Sequence, residues 1–213
     1  MIAKGSKENS EFCEKILKLL NNSSELKQNI KYTPRVIGDT VQEIILNKID
    51  SFGYTKTNTQ LTKRSMADVE LQYKDITLVI DIKTHSLEDG FHMPNLTSTT
   101  RLFKLLKDSK KYFMLLFVDY KIVDKKPIFT NVWFAPIENL AWDCLGIGAL
   151  GNGQIQIKDA NKISFTEVYD RELWCKDFRK HMNEYIQKQY SKLNELAKLF
   201  SEWVIYVLSY RYF

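Results

Sequence analysis

The sequence predicts a mixed α/β fold in which a central mixed β-sheet is flanked by helices, and three observations predict it. A helix-patterned segment comes first, up to about residue 53. Apolar runs rich in β-branched and aromatic residues follow, between residues 68 and 140, with the character of strands. From Asp170 to about Ser209 the spacing is helical again. No internal repeat or low-complexity linker divides the chain, so one domain over residues 1–213 is expected. Its helical part from about residue 170 then packs on the core or forms dimer contacts.

The elements follow in order. Residues 11 to 20 read as a short amphipathic helix with Phe12, Ile16, Leu19 and Leu20 on one side. "NNSSELKQN" reads as a loop or the start of a second turn. "TPRVIGDTVQEIILNKIDSFGY" reads as a strong helix, entered at Thr33-Pro34 and left at Gly53. Ile37, Val41, Ile44, Ile45 and Ile49 form its apolar stripe. "SLEDGFHMPNLTSTTRLFKLLKDS" reads as a loop leading into a helix. "KYFMLLFVDYKIV" and "KPIFTNVWFAPIENL" read as strands. "GIGALGNGQIQIKDA" is a glycine-rich loop with a possible short strand. The helical tail reads as one helix or two pieces, and its large apolar residues, from Trp174 and Phe178 to Phe200 and Trp203, read as core, some of them as a dimer face.

Composition narrows the class. Hydrophobic residues make up 44% of 213 residues and charged ones 27%, enough for a sizeable core and unlike a disordered chain. The formal net charge of +5 permits a polyanionic partner without requiring one. Cys13, Cys144 and Cys175 are widely separated and form no CxxC pair, which argues against a zinc site or a disulfide framework and fits a reducing cytoplasm. The N-terminus lacks the apolar centre of a signal peptide, and "WVIYVL" is too short to span a bilayer.

The chemistry concentrates in "DVELQYKDITLVIDIKTH", residues 68 to 85. With a turn at Lys74-Asp75, Tyr73 faces Ile76, Leu71 faces Leu78 and Val69 faces Ile80, a continuous apolar face. On the other face Gln72 meets Thr77, Glu70 meets Val79 and Asp68 meets Asp81. Lys83, two residues beyond Asp81, shares that face. Two carboxylates roughly 5 Å apart at Cβ need a proton, a cation or solvent between them. Lys83 supplies one positive charge. A divalent metal neutralises both acids, and hard carboxylates with open positions suit Mg²⁺, which also takes phosphate oxygens. The plainer alternative is a solvated strand edge.

These residues resemble the PD-(D/E)xK nuclease superfamily: Asp68, then "VIDIK" ending in Asp81-Ile82-Lys83, with Ala67 where the name-giving proline stands. Flanking segments are similar to type II restriction endonucleases of the EcoRV-like kind. They are "ILNKIDSFGY" before the first acid, "IDIKTH" as the second catalytic strand, "FHMPNLTSTTRL" after it, and "GALGNGQIQI" as a base-reading loop. The resemblance covers roughly residues 33 to 158, with gaps, and implies a restriction-endonuclease-like core. It implies that Asp68 and Asp81 bind Mg²⁺ and that Lys83 activates the attacking water or stabilises charge on the phosphate. A third acid on the preceding helix is also implied: Asp39 by position, with Glu43 as second choice. It further implies a homodimer acting on double-stranded DNA, and a companion DNA methyltransferase in the same restriction system.

Three polar stretches offer DNA contacts. In "GNGQIQIKD", Gly151 and Gly153 permit close backbone approach, Asn152, Gln154 and Gln156 carry amides suited to adenine edges, and Lys158 suits a phosphate. An ordinary hairpin turn is the alternative. "TNTQLTKRS" holds Gln60, Thr62, Lys63 and Arg64, fit for phosphate or minor-groove contact or simply a solvated loop. "PNLTSTTR" places Asn95, Thr97, Ser98 and Arg101 at a helix start, where a phosphate is held or a helix is capped. His85 follows the site closely and either touches a phosphate or is packed or solvated. The same core also suits a structure-selective repair or recombination nuclease, or a DNA-binding module with a dead nuclease site.

Overall fold

The computed structural model describes residues 6–27, 33–58, 67–148 and 153–209. The chain falls into two compact units, residues 1–169 and 170–213. In the first unit, helix α1 (Lys7–Asn22) opens at Ser6, whose hydroxyl accepts from the Asn9 N–H. Its Phe12, Ile16 and Leu20 recur at helical spacing and are buried. Helix α2 (Pro34–Lys48) opens at Thr33, whose hydroxyl accepts from the Val36 N–H. Pro34 stands at its start, where a missing N–H costs nothing. The continuous helix expected through Gly53 instead tightens into a 3₁₀ turn over Ile49–Phe52, which keeps Ile49 in the core. The turn stops at Gly53, whose φ of 85° suits a residue without a side chain.

Eight strands follow among the described residues: β1 (Thr55–Asn58), β2 (Val69–Tyr73), β3 (Ile76–Ser86), β4 (Asn95–Ser98), β5 (Lys111–Val123), β6 (Lys126–Pro136), β7 (Leu145–Gly148) and β8 (Gln154–Ile157). Helix α3 (Thr99–Leu106) leaves β4 directly, capped by Ser98. Five strands form one sheet in the order β1-β2-β3-β5-β6. Only β3 and β5 run parallel; the other neighbours are antiparallel, so the sheet is mixed, as the sequence predicts. The turn between β5 and β6 uses Asp124 and Lys125, both with positive φ, whose twist matches that of the paired strands.

The β2–β3 register is the expected one from Val69↔Ile80 to Tyr73↔Ile76. Strand alternation then sorts the central strands. Leu78, Ile80 and Ile82 of β3 join Met114, Leu116 and Val118 of β5 and Val132 and Phe134 of β6 in the core with α1 and α2. Asp81, Lys83 and His85 take the opposite face of β3, beside Leu115, Phe117 and Asp119 of β5.

The short strand expected after the glycine-rich loop is β8, and it joins a second, three-stranded antiparallel sheet in the order β4-β8-β7; β4 and β7, of four residues each, are too short to carry a period and were not expected. The second unit is a single helix, α4 (Arg171–Ser209), of 39 residues. The large apolar residues expected in a core or at a dimer face recur along it, from Trp174 and Phe178 to Phe200 and Trp203. No helix among the described residues is long and apolar enough to cross a membrane.

Candidate active site

The site begins where the β2–β3 ladder stops. Asp68 lies one residue before β2, and its N–H donates to the Ile80 carbonyl at 2.9 Å. Its side chain is held on both oxygens: Oδ2 accepts from the Ile82 N–H at 2.6 Å, and Oδ1 accepts from Gln42 Nε2 at 2.8 Å. Asp68 thus leaves the regular register instead of pairing directly with Asp81. It remains close enough for its charge to act on that residue.

Asp81 is 5% exposed. Its Oδ1 accepts from Lys83 Nζ at 3.0 Å. Its Oδ2 is shielded from solvent and has no hydrogen-bond partner. Burial pushes the Asp81 carboxyl up to about 7; the Lys83 ammonium pulls it back, and the Asp68 charge raises it further. Asp68 is also raised, because burial outweighs the Ile82 N–H, the Lys83 charge and the Gln42 amide. Two carboxylates therefore share one ammonium, and one buried oxygen lacks a partner. Leaving such an atom without a proton or a cation costs roughly 1–3 kcal/mol or more.

The arrangement fits a divalent cation. Asp81 Oδ2 has its acceptor capacity free, and each Asp68 oxygen keeps a second lone pair beyond the hydrogen bond it accepts. Mg²⁺ binds through one or two carboxylates and fills its remaining positions with water and phosphate oxygens, so a pair of acids suffices. Among the described residues no three histidine, cysteine, aspartate or glutamate side chains gather as a metal-holding group. Asp39 is exposed and lies 3.8 Å from Arg35, and Glu43 is exposed. The α2 side chain bonded to Asp68 is Gln42, a neutral amide and not one of the expected acids. Its position one turn after Asp39 was the available signal.

His85 is buried on the same face as Asp81 and Lys83. Its Nδ1 is 3.1 Å from Asp119 Oδ1, and Asp119 Oδ2 accepts from Asn131 Nδ2 at 2.9 Å. Of the two sequence alternatives, packing is what is observed: the ring stacks near His92 and leans on Phe117. Asp119 and Asn131 carried no sequence signal beyond a lone acid in an apolar run.

The remaining candidates divide. Gln60, Thr62, Lys63, Arg64 and Asn152 lie outside the described residues. The two other polar stretches are neighbours, because β4 pairs with β8 through Asn95↔Gln156, Thr97↔Ile155 and Ser98↔Gln154. Gln154 and Gln156 alternate with buried Ile155 and Ile157, so both amides share the outer face. Gln156 Nε2 donates to Asn95 Oδ1, and a Cβ on Gly148 would collide with the end of the Gln156 side chain. Gly153 has φ of 98°, and its carbonyl accepts from the Thr99 N–H and hydroxyl. Thr97 is buried, Ser98 caps α3, Arg101 is exposed, and Lys158 donates to the Asp143 carbonyl at 2.8 Å.

No protein-family model matches the chain, and no curated protein matches it.

Proposed function

We propose that this protein is a Mg²⁺-dependent endodeoxyribonuclease, a type II restriction enzyme that cleaves double-stranded DNA at a short palindromic sequence. The observation that carries the proposal is the Asp68–Asp81–Lys83 cluster, with one buried Asp81 oxygen left without a partner. The resemblance of "VIDIK" and its flanks to PD-(D/E)xK nucleases supports it. The homodimer, the cytoplasmic location and the companion DNA methyltransferase belong to the same proposal.

Asp68 and Asp81 hold the metal. When bound, Mg²⁺ polarises the scissile phosphoryl oxygen and relieves charge on the leaving oxygen. Lys83 is fixed by Asp81 with its ammonium at the edge of the site, where it orients the attacking water and stabilises charge developing on the phosphate. Gln42 and the Ile82 N–H fix Asp68 so that its oxygens keep one orientation. No covalent nucleophile is needed. The outer face of β4 and β8, with Asn95, Gln154 and Gln156, supplies amides for base edges.

Digestion of plasmid DNA tests this. The wild-type protein with Mg²⁺ yields discrete fragments, and chelation stops the reaction. Asp81→Ala abolishes cutting while DNA binding persists, and Lys83→Ala slows it by about 10²–10³-fold. A smear of products, or cutting that survives Asp81→Ala, sinks the assignment.

A further inference from the structure

His85 and the groups around it form a second constellation on the face of β3 that carries Asp81 and Lys83, and the candidate site does not use it. The sheet builds the array. His85 stands opposite Asp119 in the β3–β5 register, and Asp119 stands opposite Asn131 in the β5–β6 register. His85 is 2% exposed. Asp119 Oδ1 accepts from His85 Nδ1 at 3.1 Å, and Asp119 Oδ2 is held by the Asn131 amide. A carboxylate only accepts, so the ring proton stands on Nδ1 and the ring's lone pair on Nε2. That Nε2 is shielded from solvent and has no hydrogen-bond partner among the described residues. A carboxylate behind Nδ1 with Nε2 left open is the arrangement of a metal-binding histidine, whose outer partner fixes the ring and raises its basicity.

A second imidazole stands beside it. The His92 ring centre lies 6.2 Å from that of His85. Two metal–nitrogen bonds of about 2.0–2.1 Å each, added to the two ring radii, span about that distance. A direct hydrogen bond between ring nitrogens, about 3 Å long, would hold the centres about 1 Å closer. The loop that carries His92 is fixed at its backbone: the His92 carbonyl accepts from the Ala160 N–H at 2.8 Å, and the Gly90 carbonyl accepts from Asn161 Nδ2 at 2.8 Å. The His92 ring itself is exposed, so an ion reaches it from solvent. We propose that His85 and His92 bind one transition-metal ion of the Zn²⁺ class, separate from the Mg²⁺ held by Asp68 and Asp81. Imidazole nitrogen suits Zn²⁺, Ni²⁺ and Cu²⁺, whereas Mg²⁺ takes oxygen ligands. Two protein ligands leave the other positions to water, in keeping with the lack of a three-ligand group among the described residues. This inference does not rest on the nuclease proposal, because the ion is measured without DNA and on nitrogen ligands.

Calorimetric titration of the full chain with Zn²⁺, without DNA and with excess Mg²⁺ competing at the oxygen ligands, tests it. The wild type binds one ion per chain with a Kd below about 100 µM. His92→Gln, at an exposed position, weakens binding at least about tenfold, with unchanged far-ultraviolet circular dichroism. Asp119→Asn, which keeps the size of the group behind His85 and removes its charge, weakens it about 10–100-fold. His181→Gln, on α4, leaves it unchanged. No Zn²⁺ binding by the wild type in that range overturns the proposal. So does an affinity that His92→Gln or Asp119→Asn leaves unchanged, or that His181→Gln removes.

Discussion

Asp81 is the residue on which most consequences turn. Burial holds its carboxyl up to about 7, so the folded protein keeps a proton that the unfolded chain releases near 3.8. Its stabilising contribution is complete below pH 3.8 and is lost as pH rises through about 7. In the absence of metal, stability should fall by up to about 1.4 kcal/mol per pH unit across that window. Asp81→Asn should flatten this slope, which urea denaturation at several pH values measures. Gln42 offers a second residue-scale outcome. Gln42→Ala removes one of the two groups fixing Asp68 and should cost about 1 kcal/mol. Loss of its amide should also push the already raised Asp68 carboxyl higher, observable by carboxyl-carbon NMR titration. Both acids were legible in the sequence because they bracket an apolar hairpin face. Gln42 was not, because it reaches the site from another element through a neutral amide.

At the scale of elements, the β2–β3 hairpin shows why some structure is legible. A one-residue slip would carry Val69, Leu71 and Tyr73 off their apolar partners, so pattern alone fixed five pairs of the register. The pattern could not foresee that the ladder ends before Asp68, because that depends on the Ile82 N–H capturing the Asp68 carboxylate. In the second sheet the short strand after the glycine-rich loop was legible, but the β4–β8 pairing was not, because it joins residues about sixty positions apart through strands of four residues. The β3–β5 pairing yields a prediction of its own. Asp119→Ala leaves the buried His85 Nδ1 without its partner and Asn131 without an acceptor. It should destabilise the protein by about 1–3 kcal/mol in chemical denaturation. His85→Ala combined with Asp119→Ala should cost less than the sum of the two single changes.

For the whole molecule, helix patterning at both ends and strand patterning between them were enough to predict the mixed sheet and its flanking helices. α1 and α2 bury one face of that sheet, which leaves the other face of β3 free to carry charge. Ile45→Ala, in the centre of that helix-covered layer, should cost about 2–5 kcal/mol without touching the Asp68–Asp81–Lys83 cluster. The claim that joins these scales is that the Asp81 oxygen without a partner is a cation's ligand. Calorimetric titration of the DNA-free protein with Mg²⁺ at pH 8 tests it most directly. Saturable binding is expected in the wild type, weakening about tenfold per pH unit below pH about 7 as protons compete for Asp81, and lost in Asp81→Asn. No binding by the wild type, or equal binding by Asp81→Asn, would contradict it.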